Sequence, residues 1–161
     1  MGVRTQQDRA RDRARHMVHQ LAHDDYDGLA DSTKEVVIDG AAERELLYPV
    51  LLEVTDASAR MIKAQVTGPE PGTAFVLDLD GPDGTDVDVD RLPPALRALL
   101  RGILAWLEGH HDDAYFQLSL AAGDRSVRGR LDALLHGLLC MFSLLEGQKS
   151  RAHAPLWLVA P

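Results

Sequence analysis

Three histidines near the start of the chain, His16, His19 and His23, fall at i, i+3 and i+7 of a predicted helix and so share one of its faces. His19 and His23 have the i, i+4 spacing of a helical zinc pair. His110 and His111 stand in a later polar turn beside Asp112 and Asp113, and Asp24 and Asp25 follow His23. Were the two turns to meet, imidazoles and carboxylates could assemble a metal centre. The zinc-protease pattern needs a glutamate after its first histidine as general base, and here His19 is followed by Gln20. The plainer reading is a polar helix face ending in capped turns.

A second constellation lies near the C-terminus, where Asp132, His136, Cys140 and Ser143 recur at i, i+4, i+8 and i+11. A histidine one turn from a cysteine can support a thiolate nucleophile. With all the groups on one helix, no substrate fits between them, and the same stripe is what a mostly buried helix shows to solvent. Cys140 is the one cysteine, so neither an internal disulfide nor a multi-cysteine metal knot can form. There is no phosphate loop, dinucleotide fingerprint or G-x-S-x-G elbow.

The sharpest feature is acidic. From Asp78 to Asp90 the chain holds six aspartates and no basic residue, with apolar and acidic residues alternating about a Gly-Pro-Asp-Gly centre. This pattern predicts a β-hairpin over 74–90. Phe75, Leu77, Leu79, Val87 and Val89 would face a core, and Asp78, Asp80, Asp86, Asp88 and Asp90 would face out. Such a carboxylate face suits a basic protein partner. A hard cation is a weaker fit: Pro82 would occupy the fifth position of an EF-hand loop, and no glutamate follows at the twelfth. A charged edge that deters strand-to-strand aggregation is the bland alternative.

Periodicity supplies the elements that would position these groups. Helices are predicted over 4–22, from 24 or 25 to about 39, over 42–66, from Pro93-Pro94 to Gly109, over 113–122 and over 125–146. Pro49 must start or kink the third, and Asp124 would cap the last. The last helix is apolar over more than half its circumference, as expected of the centre of a bundle. Leu21–Asp27 and Leu107–Asp113 align at an offset of 86, each joining a longer helix to a shorter one, which raises a duplicated three-helix unit.

Of 25 acidic residues, seven lie between Glu70 and Asp90, which leaves 18 against 17 basic ones. The chain is a near-neutral body with one acidic block, and direct nucleic-acid binding is disfavoured. Arg4, Arg9, Arg11, Arg13 and Arg15 are interleaved with Asp8 and Asp12 and lack aromatic neighbours for base stacking. No secretory leader is visible, and the longest greasy run, Ala133 to Leu145, is too short to span a membrane.

The expectation is a single cytoplasmic domain over 1–161: a mainly α bundle of five to six helices with one small acidic β-hairpin insert. A helical half (4–67), the hairpin (74–90), a second helical half (93–147) and an apolar tail (154–161) follow one another. The expected function is a non-catalytic protein–protein interaction module, an adaptor, regulator or assembly subunit, that takes no cofactor. Asp78, Asp80, Asp86, Asp88, Asp90, Leu156, Trp157 and Leu158 are its candidate partner-binding residues, and homo-oligomerisation stays open. The rival is a metal-binding protein or metal-dependent enzyme using His16, His19, His23, His110 and His111. The tail carries a testable consequence, because Leu156, Trp157, Leu158 and Val159 would form a sticky end if left free. Deleting residues 154–161 should lower the stability of the monomer if the tail docks on its own chain, and should abolish assembly without destabilising the monomer if it inserts into another. A deletion without effect on melting or association would refute both.

Overall fold

The computed structural model describes residues 5–66, 74–77, 84–150 and 158–159. Six α-helices make up most of this: α1 (Gln6–Ala22), α2 (Tyr26–Val37), α3 (Leu47–Gln65), α4 (Pro94–Leu107), α5 (His111–Ala122) and α6 (Val127–Ser150). The chain is mainly helical, as its periodicity predicts. α6 packs against all five other helices, and α3 lies beside it in contact with α1, α4 and α5. Their shared seam is the core, where Met17, Leu47, Leu51, Leu99, Leu134 and Leu138 are fully buried. Each such side chain contributes about 2 kcal/mol. Gly137 lets α6 approach α3 closely, since a Cβ there would lie 3.2 Å from Val54 Cγ1.

Several boundaries differ from the periodic reading. The third helix starts at Leu47, after a 3-10 turn at Arg44–Leu46, so that Pro49 sits in its first turn, where its missing N–H costs nothing. The last helix is capped by Ser126 rather than Asp124. The Ser126 hydroxyl accepts the Gly129 N–H (2.8 Å), and Asp124 Oδ1 accepts the Ser126 N–H (2.8 Å).

The β-hairpin over 74–90 is not seen among the described residues. Residues 78–83, with Asp78 and Asp80, lie outside them. On the far side Val89–Arg91 forms a 3-10 turn, which the Asp88 carboxylate closes by accepting the Asp90 N–H (2.9 Å). At these residues a local side-chain cap takes the place of the extended strand that alternation predicts. The two short strands that are described, β1 (Val76–Leu77) and β2 (Leu158–Val159), pair antiparallel with Val76 opposite Val159. The end of the tail is thus tied to residues 76–77 of its own chain.

The two helical halves repeat one local geometry, at an offset of 85 rather than 86. α2 and α5 are both 12 residues long, Tyr26–Val37 and His111–Ala122. Each follows a turn in which a residue with positive φ, Asp24 (56°) or Gly109 (80°), precedes an N-cap of nearly equal torsions, Asp25 (−81°, 70°) or His110 (−86°, 65°). Buried positions correspond as well: Leu29, Thr33, Val36 and Val37 match Ala114, Leu118, Ala121 and Ala122.

The halves are joined by two arginines that exchange partners. Arg130 of α6, 2% exposed, donates from Nε to Val37 O at the end of α2 (2.8 Å) and from Nη1 to Asp124 O (2.6 Å). Arg44, just before α3, donates from Nη2 to Ala122 O at the end of α5 (2.8 Å). Asp39 Oδ1 lies 3.3 Å from Arg44 Nε and 3.2 Å from Arg130 Nη2. Each half therefore satisfies the last carbonyl of the other half's short helix, where the helix dipole favours a cation.

Arg130→Ala is expected to destabilise the protein by about 3 kcal/mol, because it strands one buried and one part-buried carbonyl and removes a buried charge from its partners. Arg44→Ala, half-buried with one such carbonyl, should cost about 1 kcal/mol. Urea unfolding of both variants and of the double variant is the check. Equal losses, or a double loss equal to the sum of two small ones, would show that the exchange does not join the halves.

Candidate functional site

The acidic segment, where described, is a depression with an apolar floor. Phe75 and Leu104 sit beneath Val87 and Val89, with Asp88, Asp90 and Arg101 at the rim, around a volume of about 470 Å³. Asp86, Asp88 and Asp90 are exposed and Phe75 is buried, the sidedness that alternation predicts. One of these carboxylates, Asp90, is paired with a base. Arg101 Nη2 lies 2.5 Å from Asp90 Oδ1, and Arg97 Nη1 donates to the Asp90 carbonyl at 2.9 Å. Arg97 and Arg101, one turn apart on α4, are residues that the sequence reading missed. Their i, i+4 spacing directly after the acidic run was the available signal. Leu156 and Trp157 lie outside the described residues, and Leu158 is described only through its backbone pairing with β1.

A second surface escaped the sequence reading. Between α2 and α6 runs an open groove of about 310 Å³ whose lining is almost wholly apolar. Tyr26, Leu29, Thr33 and Ile38 form one wall, and Val127, Leu131 and Leu135 form the other. Tyr26, Ile38 and Val127 are exposed, and Leu139, one turn beyond Leu135, continues the α6 stripe into solvent. The surplus apolar circumference of α6, read as a sign of central burial, is only partly buried. Its excess builds this groove, because α2 is too short and too offset to cover it.

The histidines do not form a centre. His19 and His23 stack on each other with ring centroids 4.0 Å apart, and His23 Nδ1 is engaged by His19 O at 2.9 Å. His111 packs edge-on against Trp106, and His110 lies 3.7 Å from Glu108. His16 is exposed on α1. Among the described residues no three of His, Cys, Asp or Glu come together in a way that could hold a metal ion. The i, i+3, i+7 spacing sets directions on one helix, and a metal needs ligands converging from several.

The Cys140 stripe fails as a nucleophilic site for the same reason. His136 is exposed and its Nδ1 is engaged by Asp132 O (2.7 Å), whereas Cys140 points inward. Burial pushes the thiol up from its ordinary value near 9 to about 11, slightly offset by the Ser58 hydroxyl. A thiol so placed stays protonated at neutral pH and does not attack. Three of the N-terminal arginines are engaged within the chain: Arg9 with Glu43 (3.7 Å), Arg11 with the buried Glu53 (3.2 Å), and Arg13 with Glu35 (2.9 Å) and Glu43; Arg4 lies outside the described residues.

No protein-family model, curated protein or solved structure matches the chain. Among the described residues no helix is long and apolar enough to cross a membrane. The described surface carries an open apolar groove and a second depression lined by apolar and charged residues.

The buried thiol is directly testable. An acid whose pKa is higher folded than unfolded favours the folded state below the unfolded value, and that contribution is lost as pH rises toward the folded one. Stability should accordingly decline between about pH 9 and pH 11 in the wild type and less steeply in Cys140→Ala, followed by urea unfolding at each pH. Rapid alkylation of the folded protein by a maleimide at neutral pH would contradict the inert thiol.

Proposed function

We propose that this protein is a non-catalytic interaction module that docks an apolar segment of a partner protein in the α2–α6 groove. The observation that carries the reading is the open apolar lining there, with Tyr26, Ile38 and Val127 exposed on a chain that buries comparable side chains elsewhere. A contiguous apolar surface of this kind marks a contact site more often than a solvated one. The acidic residues Asp86, Asp88 and Asp90, extended in sequence by Asp78 and Asp80, supply a second contact that selects for basic character in the partner. The tail residues Leu156, Trp157 and Leu158 remain part of the proposed contact set, and the setting is cytoplasmic.

The interaction reading is preferred to a metal-dependent one because among the described residues the histidines of the two turns do not come together with carboxylates as a metal-holding group. A photo-crosslinking amino acid placed at Ile38 or Val127 should capture a partner protein in the native host, and the same probe at the outward-facing Asp31 should not. Ile38→Asp with Val127→Asp is expected to weaken that capture at least about tenfold while changing stability by less than about 1 kcal/mol. Equal capture from all three positions would dismiss the groove. Stoichiometric zinc in untagged protein, with melting on chelation, would favour the metal-dependent rival instead.

A further inference from the structure

The outer face of α5 stands apart from the groove. Tyr115 is 41% exposed, Phe116 60% and Leu120 48%, and Phe116 and Leu120 lie one turn apart on a single stripe. The repeated unit offers an internal control. Displaced by 85 residues, the same positions on α2 carry Ala30, Asp31 and Glu35, all exposed. The inward positions of the two helices correspond and are buried in both. Folding of the helix–turn–helix unit therefore does not require apolar residues on its outer face. At these positions α5 carries large apolar side chains where α2 has an alanine and two carboxylates.

Charge along the helix indicates what covers that face. α5 contains no lysine or arginine. Asp112 and Asp113 are exposed in its first turn, and Arg125 is exposed in the turn that leaves its other end. The surface thus runs from acidic through apolar to basic, and a polarised stripe of this kind complements a reversed copy of itself. We propose that two copies of this chain associate about a two-fold axis through their α5 helices, packed antiparallel. Setting Phe116 against Leu120 of the partner subunit brings Asp112 to the level of the turn that carries Arg125 of the partner subunit, and symmetry makes each contact twice. The Asp124 carboxylate of that turn is half-buried and accepts the Ser126 N–H, so it faces back into its own chain. Antiparallel helix dipoles favour the same orientation, whereas a parallel one would set Asp112 and Asp113 against their own copies. The apolar centre is small, which implies a dimer that dissociates on dilution.

Sedimentation velocity of the full chain over a micromolar-to-millimolar series is the test. The expected result is a concentration-dependent monomer–dimer equilibrium, with Phe116→Asp raising the dissociation constant at least about tenfold at unchanged helical circular dichroism. Reversing charge with Asp112→Arg and Asp113→Arg should weaken the dimer, and adding Arg125→Asp should restore it. Restoration is the result that a merely apolar contact would not give. A chain monomeric throughout the series, a dimer indifferent to Phe116→Asp, a charge-reversed dimer that Arg125→Asp does not restore, or a dimer abolished by Ile38→Asp instead would each overturn the proposal. Since Ile38 lies in the other groove, failure here leaves the reading of that groove standing.

Discussion

The exchange of arginines between the two helical halves is the contact on which the rest of this structure depends. A guanidinium 2% exposed is costly to bury, and that cost is offset only when its donors find partners. Arg130 finds Val37 O, Asp124 O and the Asp39 carboxylate, drawn from both halves of the chain. Arg44 makes the converse contact with Ala122 O and shares Asp39. Asp39 is 74% exposed, so the network has one end in water, and solvent can relax the charge without breaking the backbone contacts. The geometry cannot be satisfied by either half alone, which makes the association of the halves specific rather than merely greasy.

The positions of the other elements follow. With the ends of α2 and α5 held by the arginines, α3 and α6 lie together at the centre, and Gly137 sets how near they come. α1 is fastened to this frame by ion pairs from Arg11 and Arg13. α2 is held at its C-terminal end and leaves the flank of α6 uncovered. The groove is thus a by-product of how the halves are clamped, and its apolar lining is the unburied remainder of a helix that also builds the core.

Repetition and divergence separate structural from functional demands. The turn at Asp24–Asp25 and the turn at Gly109–His110 reach the same backbone torsions with different residues, one capped by a side chain and one not. Buried positions of α2 and α5 agree while the outer ones differ in character. The two helix–turn units thus share buried positions and turn geometry while their exposed positions differ in chemistry.

Much of the architecture was legible in the sequence. Helix periods, the turn residues, the Pro49 start and the sidedness of Phe75 against Asp86, Asp88 and Asp90 are local properties, encoded in neighbours a few residues apart, and one-dimensional spacing suffices to read them. The hairpin expected from the acidic run is not seen among the described residues, where the Asp88 carboxylate instead closes a turn on the Asp90 N–H, a local bond that alternation does not reveal. What the sequence could not show is long-range. Arg130 reads as one more charged residue on a helix, and its burial depends on Val37, 93 residues away. Arg101 pairs with the Asp90 carboxylate, and Arg97 with the Asp90 carbonyl, only because α4 folds back beside them, and the histidines of the two turns do not converge. Spacing along a chain fixes direction on one element; convergence is a property of several elements at once, and only the tertiary structure decides it.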